Sequence, residues 1–150
     1  MFDLAELDLD LVADALQDNS YEHRWFIDPM TGAIVFLPED GVETDLDDTD
    51  LVSIDALPSR VWYRDMADFA DEISDDRAGR RLARAIQGRG AFRRFKDELH
   101  DEDPSLLTLW YEFSNRRALR RAVAWLADRS LVDRDAAEGF LAEHRDIDLA

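Results

Sequence analysis

Cysteine is absent from this 150-residue chain. That removes disulfides, thiolate metal sites and thiol nucleophiles, and it fits a reducing compartment such as the cytoplasm. Lysine is almost absent as well: Lys96 is the single ammonium among 18 basic residues, the rest being arginine. Apolar runs last only a few residues, far short of the roughly 20 that a membrane-spanning helix needs, so no membrane partner is expected. The first residues, MFDLAELDLD, are acidic and lack the basic start of a secretory signal. The three histidines, His23, His100 and His144, are widely separated. Neither an H-E-x-x-H zinc motif nor a G-x-S-x-G nucleophile elbow occurs. No catalytic residue, cofactor or metal is therefore assigned.

What the chain does contain is acid. Thirty-five Asp and Glu face 18 Lys and Arg, for a net charge of −17. Such a surface favours solubility and on average repels nucleic acid and anionic lipid. Both a GC-rich genome and adaptation to high salt produce this composition. Hydrophobic residues make up 46% of the chain, and a chain of this length buries roughly 68–70% of its unfolded surface. One domain is expected over 1–150, with an acidic amphipathic helix over 1–20, a β-rich part over 22–56 and a helical part over 58–145. No internal repeat appears.

The spacing of Leu4, Leu7, Leu11 and Ala15 predicts a helix from Asp3 to about Asn19, with Glu6, Asp10 and Asp14 as a solvated stripe. The strand formers His23–Ile27, the turn-like Pro29-Met30-Thr31-Gly32 and the return run Ala33–Leu37 predict a hairpin. Leu51–Ile54 offers a third strand. Trp62, Met66, Phe69, Ala70 and Ile73 outline an apolar helical face after Pro58. Asp75 or Asp76 caps the next helix, which runs through Leu82 and Ile86 and stops at Gly88. A short helix follows Gly90, carrying Phe92, Phe95 and Leu99. Another starts at Pro104 with Leu106, Leu109, Trp110 and Phe113, and a kink or break is expected at Ser114-Asn115-Arg116-Arg117. Asp133 caps a last helix holding Phe140 and Leu141. The fold class is α+β: a small antiparallel sheet with a mostly helical C-terminal part.

Charge is unevenly spread. Residues 1–76 hold 22 acids against three arginines, whereas 77–150 hold 13 acids and 15 bases. Within the second stretch, Arg77, Arg80, Arg81, Arg84, Arg89, Arg93, Arg94 and Lys96 form a run with no acid among them. Arg116, Arg117, Arg120 and Arg121 make a second cluster. The first four share a helical face. The functional reading is an anion-binding surface; the structural one is pairing with the abundant acids, which is the easier account of such runs. Gly88-Arg89-Gly90 lacks the Gly-Lys-Ser/Thr ending of a P-loop and follows a helix, so a helix stop and tight turn explains it better than a nucleotide site. Asp45-Leu46-Asp47-Asp48-Thr49-Asp50 has calcium-loop chemistry but places Asp50 and Ala56 where an EF-hand needs Gly and Glu. Trp62, Phe69, Phe92, Phe95, Trp110, Phe113 and Trp125 fall at helical spacing and read as core.

Three stretches carry a family likeness: Trp25-Phe26-Ile27-Asp28 with Thr31-Gly32; Leu57-Pro58-Ser59 with Trp62, Met66 and Phe69; and above all Gly88-Arg89-Gly90-Ala91-Phe92-Arg93-Arg94-Phe95-Lys96-Asp97, with Trp110 and Phe113 downstream. Together they resemble the bacterial uncharacterised protein family numbered 0158 in the UPF series, over roughly residues 22–128. The resemblance implies no reaction and carries over no catalytic residue. The leading expectation is a non-enzymatic binding or regulatory domain acting through another protein or through itself as a homo-oligomer. The alternative is nucleic-acid binding through the arginine clusters, and the third is an enzyme using carboxylates and arginine on a phosphorylated or sugar substrate.

Overall fold

A computed structural model describes residues 1–19, 23–38 and 51–150 of the chain. The acidic stretch Asp45–Asp50 lies outside them. The described residues divide into two compact units, one formed by 1–57 with 118–145 and the other by 58–117 with 146–150.

The first unit holds the sheet. A 3-10 turn spans Leu4–Glu6, α1 spans Leu9–Gln17, and the strands are β1 (His23–Ile27), β2 (Ile34–Pro38) and β3 (Val52–Ser53). The sheet is antiparallel in the order β2-β1-β3, with Phe26 opposite Val35 on one side and Ser53 on the other. The hairpin turn is closed by Asp28, whose carboxylate accepts from Met30 N at 2.8 Å while its carbonyl accepts from Gly32 N at 2.7 Å. Gly32 takes φ 78° there, a left-handed conformation that glycine adopts without steric cost. Trp25 donates its indole N–H to Asp18 at 2.8 Å. The helices of this unit are completed by residues 118–128 and by α6 (Arg134–Glu143), whose N-cap is Asp133 as the sequence predicts. Val12, Ala15, Leu16, Ile27, Val123 and Leu126 lie at the centre of its core.

The first helix is shorter than its periodicity suggests. Asp8 adopts an extended conformation and accepts from Leu11 N at 3.1 Å, so it caps a helix that starts only at Leu9. The buried face is accordingly Val12, Ala13, Ala15 and Leu16, and Leu11, placed on the apolar stripe by its spacing, is exposed.

The second unit is helical: α2 (Ser59–Glu72), α3 (Asp76–Ala85), α4 (Ala91–Asp101) and residues 104–117 of α5 (Pro104–Asp128). Its core is an aromatic cluster in which Phe69, Phe95 and Phe113 are fully buried and Trp110 is half-buried. Phe95 and Trp110 meet edge-on with centroids 4.8 Å apart, and Phe69 meets Trp110 at 5.2 Å, separations at which aromatic pairs add to plain area burial. Two expectations fail here. Of the kink or break expected at Ser114–Arg117, the break does not occur: α5 runs from Pro104 to Asp128, 25 residues, and Arg116 and Arg117 are good helix formers that offset the weaker Ser114 and Asn115. Phe92 is not core: it is 43% exposed, one residue off the Ala91–Phe95–Leu99 face that α4 buries.

Candidate partner-binding face

Helix α3 begins where Asp75 accepts from Arg77 N and Ala78 N, both at 3.1 Å. Ala78, Gly79 and Leu82 then turn inward. The approach to α2 is close enough that a Cβ on Gly79 would sit 2.5 Å from the Ala70 carbonyl oxygen. With that face fixed, the 3.6-residue period places Arg77, Arg80, Arg81 and Arg84 together on the outer face, and all four are exposed. The chain then turns through Gly88 and Gly90, both with positive φ, into α4. That helix buries Ala91, Phe95 and Leu99 and leaves Phe92, Arg93, Arg94 and Lys96 outside.

Two of these eight cations have structural duties. Arg81 grips Glu102 through two parallel bonds, Nε to Oε2 at 2.5 Å and Nη2 to Oε1 at 2.6 Å, and lies 3.5 Å from Glu98. This ties α3 to the end of α4. The hydrogen bond to Glu102 raises the Arg81 pKa further above its ordinary value, and the same bond holds the Glu102 carboxyl below the usual carboxylate range. Glu98 is pushed the other way, first by sharing a hydrogen bond with Glu102 and then by burial. Arg94 donates Nε to the Ala85 carbonyl at 2.8 Å and Nη2 to the Gln87 carbonyl. It thereby satisfies carbonyls that the end of α3 leaves open.

The other six, Arg77, Arg80, Arg84, Arg89, Arg93 and Lys96, are exposed, and none forms an ion pair among the described residues. Arg80 also lines an open cleft between α2 and α3 with Asp71, Asp76 and Gly79.

The second arginine cluster turns inward. Arg117 bonds Asp65 at 3.0 Å, Asp68 at 2.7 Å and Asp146 at 3.1 Å, and its guanidinium carbon lies 4.4 Å from the Phe113 ring centroid. Burial works against its charge, but the three carboxylates outweigh burial and raise its pKa. Arg120 donates to the Leu141 and His144 carbonyls at 2.7 and 2.8 Å, at the C-terminal end of α6. Arg116 and Arg121 are half-buried with contacts of their own. The structure therefore separates the twelve arginine and lysine candidates into six outward-facing cations on α3, α4 and their connecting turn, and six engaged within the fold.

Residues 5–138, which contain the whole basic run, match the uncharacterised protein family UPF0158. The chain belongs to this family. It is similar to the UPF0158 protein of Pseudomonas aeruginosa, with 30% identity over 131 residues that cover 83% of this chain and 84% of the relative. No solved structure matches it significantly. The likeness first seen in the Gly88–Asp97 stretch thus extends over most of the chain, and in this family member that stretch forms the turn and first half of α4.

Among the described residues no group of three or more His, Asp or Glu is placed to hold a metal ion, and no helix is long and apolar enough to cross a membrane. Asp65 is the residue that the sequence reading missed. Its signal was available: it lies three residues after Trp62 and four before Phe69, an acid on the apolar face of α2, where a buried charge requires a partner.

Proposed function

We propose that this protein is a non-enzymatic binding protein that engages an acidic surface on another protein through the outer face of α3 and α4. One observation carries the reading: in a chain with 35 acidic residues, Arg77, Arg80, Arg84, Arg89, Arg93 and Lys96 remain exposed without an ion pair among the described residues. Arginine is enriched where proteins meet, and an exposed aromatic beside it is typical of interface centres. Phe92 supplies that ring next to Arg93, with Lys96 one turn on. The unit that bears the face has 14 acids and 12 bases, while the other has 21 acids and six bases. The basic face is thus set in nearly neutral surroundings and can attract a local acidic patch.

A second reading is favoured by the same Phe92. A ring exposed beside arginines is the arrangement on which single-stranded nucleic acid stacks. Against it stands the net charge of −17, which opposes a polymer carrying one phosphate per nucleotide more strongly than it opposes a small acidic patch.

The discriminating experiment measures the anisotropy of two labelled probes, a glutamate-rich peptide and a short single-stranded oligonucleotide, from low to physiological salt. Parent and Arg80→Glu/Arg84→Glu/Arg93→Glu protein are compared. Binding of the peptide that the triple variant loses, with no oligonucleotide binding at physiological salt, supports the protein-partner reading. Oligonucleotide binding that falls steeply with salt and is lost in the variant moves the assignment to nucleic acid. Equal behaviour of parent and variant towards both probes overturns the basic face as a contact surface.

A further inference from the structure

Helix α2 buries Asp65, Met66, Phe69 and Ala70. The 3.6-residue period then gathers Arg60, Tyr63, Arg64, Ala67 and Asp71 on one outer flank, each of them three, four or seven positions from Ala67. Arg60, Tyr63, Arg64 and Asp71 are exposed, the tyrosine at 41%. Arg60, Arg64 and Asp71 form no ion pair among the described residues. The flank therefore has a direction: cations towards the start of the helix, a small residue in the middle, a carboxylate in the last turn. Two depressions meet at Ala67. One, of about 530 Å³, is lined by Arg60, Val61, Tyr63 and Arg64. The other, of about 330 Å³, is the cleft between α2 and α3, lined by the small residues Ala70, Gly79 and Ala83 and by Asp71 and Asp76.

We propose that this flank of α2 is a homodimer interface, in which the helices of two copies pack antiparallel about a two-fold axis at Ala67. Such an axis sets residues before Ala67 in one copy against residues equally far after it in the other. Tyr63 of each copy then meets the second copy at Asp71, where the cleft offers the ring a seat among small residues and the hydroxyl a carboxylate. Arg60 and Arg64 come to the end of the second copy that carries Asp71 and Asp76. Cations meet acids, and the same contact is made twice, as a self-complementary two-fold surface requires. A parallel pairing instead sets Arg60 and Arg64 against their own counterparts, where like charges repel. Alanine at the axis lets the two backbones approach closely. A polyanion fits this flank badly, because Asp71 and Asp76 stand at one end of it. The net charge of −17 is no obstacle, since the unit that carries α2 has 14 acids and 12 bases. A contact along one 14-residue helix, roughly 21 Å long, is small for a specific interface, so the dimer forms as concentration rises. The proposal uses none of the six outward cations of α3 and α4, so it stands or falls independently of the basic-face reading.

The test is sedimentation equilibrium of the full chain over a range of concentrations. Arg60→Glu/Arg64→Glu sets acid against acid across the axis, and Asp71→Lys sets base against base. Each variant is expected to dimerise at least about tenfold more weakly than the parent. An equimolar mixture of the two restores opposite charges at both contacts and is expected to recover the dimer. All three positions are exposed, so both variants should keep the native circular dichroism. The absence of cysteine gives a second readout. Ala67→Cys places two thiols across the axis, where a disulfide spans Cα atoms roughly 4.4–6.8 Å apart, and should cross-link on oxidation much faster than Arg84→Cys on the outer face of α3. A parent that stays monomeric throughout, variants that dimerise as the parent does, or a mixture no better than its components overturns the proposal. A dimer dissolved instead by Arg84→Glu/Arg93→Glu, with Arg60→Glu/Arg64→Glu unaffected, moves the contact to the basic face and overturns it too. Should Ala67→Cys fail to fold, the charge-reversal mixture decides.

Discussion

Arg117 Nη1 lies 3.0 Å from the carboxylate of Asp65, a residue only 3% exposed on the inner side of α2. The pair joins α5 to α2 at the edge of the aromatic cluster, and Asp68 at 2.7 Å shares the same nitrogen. Removing one partner of such a pair strips the other buried charge of its main compensation, which is far more damaging than the net worth of the pair. Arg117→Ala is therefore expected to destabilise the protein by about 3 kcal/mol. Arg117→Met/Asp65→Leu, which removes both charges and keeps the volume, should recover most of that loss. Urea unfolding of the single and double variants gives both numbers, and a double variant as unstable as Arg117→Ala would contradict the account.

The Arg81–Glu102–Glu98 group makes stability depend on pH with two opposite signs. Glu102 is held below its ordinary pKa by Arg81. Its contribution is present above the unfolded carboxylate value of roughly 4.3 and fades as pH falls through the lower folded value. Glu98 is raised, so its contribution is full below roughly 4.3 and is lost as pH rises through the higher folded value. Glu98→Gln mimics the protonated form and should remove the decline above that point. Glu102→Gln should flatten the acid limb instead. Arg81 is half exposed, so solvent screens the group and both effects are small. Thermal melts from pH 3 to 7 on the two variants test the signs.

Much of this fold could be read from the chain because its signals are local. The hairpin rests on a turn that Asp28 and Gly32 specify within five residues, and the caps Asp75 and Asp133 act on amides two or three positions away. The α2 face from Trp62 to Ile73 follows one period. The errors arose where a local pattern was ambiguous or where the deciding contact was distant. Leu4, Leu7 and Leu11 fit a helix until Asp8 caps it from inside the pattern. Which arginines are free depended on Glu102, 21 residues from Arg81, and on Asp65, 52 residues from Arg117. Spacing alone shows that charges share a face and not what they meet.

Phe92 and Phe95 were indistinguishable by type and spacing, and the structure assigns them opposite roles. Phe95 is 1% exposed and touches the rings of Phe69 and Trp110, so Phe95→Ala is expected to cost about 3–5 kcal/mol. Phe92→Ala should stay within about 0.5 kcal/mol of the parent while weakening any partner held by the α3–α4 face. Melting temperature and probe anisotropy, measured on the same two samples, separate the roles. A large loss of stability in Phe92→Ala would remove that ring from the surface and from both binding readings.

Two glycines within helices offer a control on the packing of α3. A methyl group on Gly79 would meet the Ala70 carbonyl oxygen at 2.5 Å, and since that atom is backbone, α3 and α2 must move apart for it to fit. Gly79→Ala is expected to destabilise by roughly 1–3 kcal/mol despite the better helix propensity of alanine. Gly139 in α6 has nothing within 4 Å of the added carbon, so there the propensity term acts alone, and Gly139→Ala should stabilise by roughly 0.5–1 kcal/mol. Because Arg77, Arg80 and Arg84 ride on α3, Gly79→Ala should also disturb probe binding at the basic face, whereas Gly139→Ala should not. A Gly79→Ala protein as stable as the parent would show that α3 does not rest on the α2 backbone, and the arrangement of cations that depends on that contact would have to be redrawn.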